Sequence, residues 1–352
     1  MARRLNIADI ATAAQVSKTT VSRVLNDRPD VDAETSARVK RVIDEMGYVR
    51  SERAVQLARG RANVVALVAP FDTSPWMIEV LRGAMGILQA THFSLTLHAF
   101  PETPEETERL ADQLRGGAMD ALLVVALQQS IPMFSKAVAD GLPVIVLNNY
   151  GFNDGLPDIA PDEAAGINEA VDHLWAVGRR RFAIIAGTPD FPDSEKRLEA
   201  YRAALLSHGH VLDERLVVRA PFTEPSARES TAELLGRGVP FDALFASSDA
   251  MAVGAMRMLK QRGLAIPRDV SIVGFDDFTA AEFTEPRLTT VHNPLFEMSA
   301  RATSRLLDAV NGRARLTTGE EVVRTNLVVR DSSDPKKLSR QHGSHHIPAP
   351  SR

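Results

Sequence analysis

The chain contains no cysteine. That excludes a disulfide framework and thiolate chemistry, and it fits a reducing cytosol. No apolar run approaches the ~20 residues of a membrane-spanning helix. The first residues, MARRLNIADIATAA, hold two arginines but no continuous apolar stretch, so they do not read as a secretory signal. No phosphate-cradling G-x-x-x-x-G-K-[ST], no G-x-G-x-x-G and no Ser-His-Asp order is present. The three histidines at 342, 345 and 346 lack a carboxylate at ligand spacing and read as part of a solvated tail, so no metal and no cofactor is expected. Tryptophan is scarce, two in 352 residues, so one outside the core stands out.

What is present is uneven in charge. Residues 1–61 carry 12 Lys and Arg against 8 Asp and Glu, whereas the rest carries 29 against 37. A basic end on an acidic body is the asymmetry of a small domain that meets phosphate. Within that end, NIADIATAAQVSKTTVSRVLN (6–26) reads as two short helices. Ile7, Ile10, Ala11 and Ala14 make one apolar helical face, Asn6 is placed to cap it, and Asp9 can reach back to Asn6. Gln15 and Val16 make the turn, and Ser17 caps the second helix. Val21, Val24 and Leu25 point inward, leaving Lys18, Thr19, Thr20, Ser22, Arg23 and Asn26 as the outward, DNA-reading set. Lys and Arg suit guanine acceptors, Thr several bases, and Asn adenine. A solvated helical hairpin would show the same spacing. Asp32 begins a third helix through Val39, Val42, Ile43 and Met46 that stops at Gly47. Three helices in about 50 residues bury a small core, so this piece is expected to be marginal alone.

From Asn63 the texture changes. NVVALVAP is a β-branched run suited to a strand buried on both faces. Strands 93–100, 121–127 and 143–149 follow, alternating with helices including 104–115 and 132–140. The rhythm restarts with helix 162–177, then strands 181–187, 216–220, 243–247 and 271–277 between helices 195–208, 226–237 and 249–262. Two such blocks imply two α/β lobes with parallel sheets, whose carboxyl strand ends face a cleft.

The wording V-S-x-x-T-V-S-R-V-L-N, here VSKTTVSRVLN (16–26), resembles the N-terminal signature of the lactose-repressor (LacI/GalR) family, and the resemblance runs through nearly the whole chain. It implies an all-α helix-turn-helix headpiece (1–49) and a hinge helix (50–61) whose Leu57 wedges into the DNA minor groove. It also implies a two-lobed, periplasmic-binding-protein-like effector domain. LTTVHN (288–293) is similar to the family's crossover strand, after which helix 295–311 returns to the first lobe and 321–330 closes the fold. The lobes are then 62–161 with 292–323, and 162–291 with 324–330. Residues 331–352 read as a disordered tail. That tail has no leucine heptad, so a homodimer rather than a coiled-coil tetramer is expected.

The family pattern also points to effector-binding residues. Arg197 in RLEAYRAAL matches its R-x-x-G-F-x-x-A-L, and Asp276 in VGFDD its V-G-[FY]-D-D. Phe222 in APFTEP stands at an aromatic position, with Pro221 where an Asp is usual, and is open equally to stacking or core packing. Trp76 falls in the loop after the first strand, where its face suits a pyranose. Asp249 and Asp162 are further candidates, each of which can instead cap a helix. Asp277 reads as structural, a cap for the following turn. The implied function is a cytoplasmic transcription regulator, a repressor on a near-palindromic operator, controlled by a small effector. A sugar or sugar derivative is expected, with a purine or nucleoside as the alternative. Asp276 and Asp277, adjacent on one strand, point to opposite faces, which argues against a catalytic pair. A free sugar-binding protein or an enzyme is the remaining reading.

Overall fold

Asn6 and Asp9 close a reciprocal cap at the start of the chain. The Asn6 side chain accepts from the Ala8 and Asp9 backbone N–H groups, and Asp9 accepts from Asn6 N at 2.9 Å. The computed structural model describes residues 5–48, 62–70, 75–101, 103–125, 132–148 and 155–334. The expected hinge, with Leu57, lies outside them. The cap opens α1 (Ile7–Ala13). Gln15 turns the chain at φ 53°, and Ser17 caps α2 (Lys18–Leu25) by accepting from Thr20 N. Asp32 caps α3 (Ala33–Met46), which ends at Gly47 with φ 61°. Ile10, Ala11, Ala14, Val21, Val24, Val39 and Tyr48 form the buried core of this helical unit.

A second compact unit follows. Its first half runs β1 (Val64–Ala69), α4 (Pro75–Leu88), β2 (Ser94–Ala99), α5 (Pro104–Arg115), β3 (Ala121–Val125), α6 (Pro132–Ala139), β4 (Val144–Leu147) and β5 (Pro157–Asp162). Next come α7 (Glu163–Ala176), β6 (Phe182–Ala186), α8 (Pro192–Ser207), β7 (Val217–Arg219), α9 (Glu224–Gly236) and β8 (Ala243–Ala246). The chain continues through α10 (Asp249–Gln261), β9 (Ser271–Asp276), β10 (Thr289–His292), α11 (Leu295–Val310), β11 (Gly319–Arg324) and β12 (Asn326–Val328). Two six-stranded sheets result, ordered β11-β5-β4-β3-β1-β2 and β12-β10-β9-β8-β6-β7. All pairings are parallel except β12 on β10. The chain passes from one sheet to the other three times: at Asp162–Glu163, between β10 and α11, and between β11 and β12.

Strand periodicity divides the second lobe's core. Along β8, Ala243 and Phe245 face one way, against Leu198, Tyr201 and Ile167, while Leu244 and Ala246 face the other, against Leu234, Met251 and Leu259. In the first lobe α4 and α11 pack in close contact. A Cβ on Gly83 would lie 2.3 Å from the Phe296 carbonyl oxygen, so only glycine admits this approach.

Three expectations are corrected. β5 was not anticipated, because Pro157 and Pro161 break the strand signal; the strand nevertheless pairs with β4 and β11. Trp76 is not in a loop but in the first turn of α4, behind Pro75, and is half-buried against the first lobe's core. The tail does not begin at Asp331. Ser332 and Ser333 are fully buried, with Ser332 Oγ donating to Ile272 O and accepting from Thr289 N, while Ser333 O accepts from Ser271 Oγ at 2.6 Å. A polar, serine-rich stretch read as solvated is ordered because each of these groups meets an open backbone or hydroxyl partner at the end of the second sheet.

Candidate functional site

Each unit carries a candidate surface. On α2, Lys18 and Thr19 are exposed at the helix N-terminus. Thr20 and Ser22 are half-buried, and the Thr20 hydroxyl is bonded to Ser17 Oγ at 2.9 Å. Arg23 is exposed but paired with Asp30 at 2.9 Å. Exposed pairs of this kind are worth about 0–1 kcal/mol, so Arg23 is readily released to another partner. Asn26 is exposed and ends the helix as its C-cap, and its amide donates to Ser22 O at 2.7 Å.

In the α/β unit the polar residues gather at the carboxyl ends of the second sheet, where open α/β sheets place their ligands. Arg197, on the second turn of α8, is 5% exposed. Its Nε donates to Glu163 Oε1 at 2.8 Å and its Nη1 to Ser247 O at 2.6 Å, and the guanidinium lies 3.8 Å over the Phe275 ring. A cation near a helix N-terminus is disfavoured by the helix dipole. Here the carboxylates of Glu163, Asp193 and Asp276 reverse the balance: burial alone would lower the Arg197 pKa, yet these charges raise it. Asp276 ends β9 at φ 116°, a backbone region strained for any residue but glycine. Burial pushes its carboxyl up to about 7 against the pull of Arg197. Burial likewise pushes Glu163 up to about 7, again opposed by Arg197. Phe222 leans over Gly187, where a Cβ would come within 2.5 Å of the ring and 2.1 Å of Ser194 Oγ, and it meets Phe191 edge to face at 5.5 Å.

Four buried polar atoms here have no hydrogen-bond partner among the described residues: Glu163 Oε2, Ser194 Oγ, Ser247 Oγ and Asn293 Oδ1. Such atoms are rare in folded proteins, because each costs roughly 1–3 kcal/mol. They lie together around Arg197 at the carboxyl ends of the strands. None of Glu163, Ser194, Ser247 and Asn293 was singled out from the sequence. Ser247 and Asn293 follow strand ends, a signal that could have found them; Glu163 was hidden beside Asp162.

Two other expected site residues, Asp249 and Asp162, make structural hydrogen bonds beside this cluster. Asp249 is 2% exposed and is not the cap of α10; Ser248 is, through Met251 N. The Asp249 carboxylate accepts from Thr290 Oγ1 and from Phe278 N, which braces the turn that follows Asp276. Burial, and next the Asp276 charge, hold its carboxyl well above the usual range. Asp162 caps α7 through Ala165 N at 3.1 Å. Asp277 is structural, but by ion pairing with Arg330 at 2.7 Å and His292 at 3.2 Å rather than by capping. Among the described residues no cluster of His, Asp or Glu could hold a metal, and no helix is long and apolar enough to cross a membrane.

Known proteins with these features are numerous. The profile of bacterial regulatory proteins of the lacI family matches residues 6–51, and that of the periplasmic binding protein-like domain matches 171–333. The HTH-type transcriptional regulator CelR of Thermobifida fusca is 35% identical over 342 residues, covering 94% of this chain and 98% of CelR. A solved CelR–cellobiose complex superposes with a TM-score of 0.67 at 33% identity, covering 94% of this chain and all of that one. The Lac repressor dimer bound to operator shares the fold, with a TM-score of 0.83 at 22% identity over 94% of this chain and 99% of that one. A helix-turn-helix unit and a two-lobed α/β unit in this order, matched over nearly their full length, make the chain a DNA-binding transcriptional regulator of the LacI family.

Proposed function

We propose that the protein is a cytoplasmic repressor that binds a near-palindromic operator as a homodimer and is controlled by a sugar or sugar derivative held between its lobes. The observation that carries the effector reading is the set of unpartnered buried oxygens around Arg197. Asn293 Oδ1 accepts only, Glu163 accepts when ionised and can donate when protonated, Ser194 and Ser247 accept or donate, and Arg197 donates. A polyol supplies hydroxyls that answer all of these, and the Phe222 and Phe191 rings offer an apolar wall beside them. A purine presents fewer donors and leaves more of the acceptors unmet, so the sugar is favoured. CelR, whose solved complex holds cellobiose, supports the same class. The reading is of a binding site: its carboxylates flank a guanidinium.

Lys18, Thr19 and Arg23 are assigned to base edges in the major groove, with α2 presented by its N-terminal end. Dimerisation is supported by exposed apolar side chains on the first lobe, Ile78 and Met85 of α4 and Phe296 of α11. An effector that prefers one lobe arrangement shifts operator affinity by its differential binding, and about 1–3 kcal/mol of coupling gives roughly 5–150-fold.

The test is fluorescence anisotropy of the full chain on DNA fragments flanking its own gene, at fixed salt, repeated with a panel of sugars and nucleosides. Saturable binding to one palindromic fragment, shifted by a sugar, is expected. A shift by a nucleoside alone would replace the effector class. Equal, salt-sensitive binding to every fragment would overturn the operator reading.

A further inference from the structure

The second lobe returns the chain to the first at His292. This residue ends β10, and after Asn293 and Pro294 the first lobe's α11 begins at Leu295. The imidazole Nδ1 lies 3.2 Å from Asp277 Oδ2. Asp277 is itself fixed in the second lobe. Its other oxygen accepts from Arg330 Nη2 at 2.7 Å, and Arg330 is held in turn by the Leu288 carbonyl and the Thr289 hydroxyl. Two successive non-glycine residues, Asp276 at φ 116° and Asp277 at φ 61°, hold a left-handed backbone here, which persists only where the surroundings enforce it. From the first lobe, the carboxylates of Glu297 on α11 and Glu79 on α4 also act on the imidazole. The other charges nearby are engaged. Arg82 holds both oxygens of Glu79 at 2.8 and 2.9 Å, Glu282 reaches Arg330 at 3.5 Å, and Asp276, beside His292 in the sheet, is pulled by Arg197. One ring thus stands between an acid of the second lobe and two acids of the first.

We propose that His292 is a proton-operated tie between the lobes: as imidazolium it holds Asp277 of the second lobe and attracts Glu79 and Glu297 of the first, so that pH biases the lobe arrangement and, through it, operator affinity. The operator half rests on the function proposed above. The hydrogen bond to Asp277 raises the imidazole above its usual range; partial burial opposes this, and the charges of Asp277, Glu297 and Glu79 add to the rise. The tie is therefore complete below the ordinary histidine value of about 6.5 and is lost as pH rises through the raised value of the folded protein. A lobe movement about the crossover changes the distances from His292 to Glu79 and Glu297 but leaves Asp277 in place. The two arrangements then differ in proton affinity, and that difference makes the proton an effector. Residues 1–61 contain no histidine, so the DNA-reading unit supplies no imidazole that titrates in the same window.

Two measurements on the full chain test the proposal. In the first, the imidazole carbons are followed by NMR from pH 5.5 to pH 9, with the His292 signal identified by its loss in His292→Gln. Its midpoint should lie above about 6.5 in the wild type and fall toward that value in Glu79→Gln with Glu297→Gln, although Asp277 is untouched. An unchanged midpoint in that double variant means that His292 answers only to its own lobe and overturns the tie. In the second, anisotropy on the DNA fragment bound by the wild type is read across the same pH range. Asp276 and Glu163 also titrate near 7, so the contribution of His292 is the ratio of wild-type to His292→Gln affinity. That ratio should change at least about threefold between pH 6 and pH 8.5, and the ratio to the Glu79→Gln, Glu297→Gln variant should change in the same direction. The second ratio keeps the test standing if His292→Gln fails to fold. A constant ratio overturns the link to operator affinity. Binding to no fragment at any pH would sink the operator reading instead, and the tie between the lobes is then decided by the NMR titration.

Discussion

Arg197 holds two partners and faces three carboxylates, so its replacement separates binding from folding of the DNA-reading unit, in which it takes no part. Arg197→Ala should abolish the effector's shift of operator affinity while effector-free affinity stays within about threefold, a change of under 1 kcal/mol; anisotropy with and without sugar reads both, and a collapse of effector-free binding would make the residue structural. Asp276 gives a second, independent readout. Its carboxyl is raised from 3.8 to about 7 by burial, so the folded state holds a proton that the unfolded chain has lost. Stability from this group is therefore full below pH 3.8 and falls as pH rises through about 7. In Asp276→Asn that loss is absent. The melting temperature of the variant relative to wild type should rise between pH 5 and pH 8, and a flat difference would mean that Asp276 is ionised throughout. Both residues were visible in the sequence because their motifs surround them with fixed spacing. Ser247 and Asn293 were marked only by their places just after strands, and Glu163 and Ser194 not at all, since a missing hydrogen-bond partner becomes visible only once distant elements converge.

Helix termini were the most legible elements. Asn6, Ser17, Asp32 and Gly47 all act at the positions their types predict, because a cap is a contact over three residues and needs no tertiary partner. Ser17→Ala should lower the stability of the helical unit by about 0.5–2 kcal/mol and weaken DNA binding on every sequence alike. Lys18→Ala should leave the melting temperature unchanged and instead relax the base preference at one operator position, as competition against single-base operator variants would show. Elements defined by distant partners were harder to read. β5 carries two prolines and is a strand only because β4 and β11 flank it. Asp331–Ser333 is polar and small, and nothing short of the second sheet's open end explains its burial. Asp249 likewise looked like a cap, but its partners Thr290 and Phe278 lie 41 and 29 residues away.

At the scale of the molecule, α4 and α11 expose Ile78, Met85 and Phe296, the face proposed for dimerisation. Ile78→Asp with Phe296→Asp should convert the dimer to a monomer in sedimentation and weaken operator binding far more than either substitution weakens folding, because each residue is more than a third exposed in the single chain. If the double variant remains dimeric, this face is not the interface. The connectivity has a further consequence, for synthesis. The α/β unit's first sheet receives β5 by Asp162, yet its covering helix α11 begins only at Leu295 and its edge strand β11 at Gly319. At translation rates of about 5–20 residues per second, the apolar face of β1, β3 and β4 waits on the order of 10 s for its cover. The second lobe is made in that interval, inserted between the two halves of the first. During every round of production, then, the nascent protein carries a nearly complete but uncapped sheet, and that half-built lobe is the species on which chaperone binding and aggregation during expression should act.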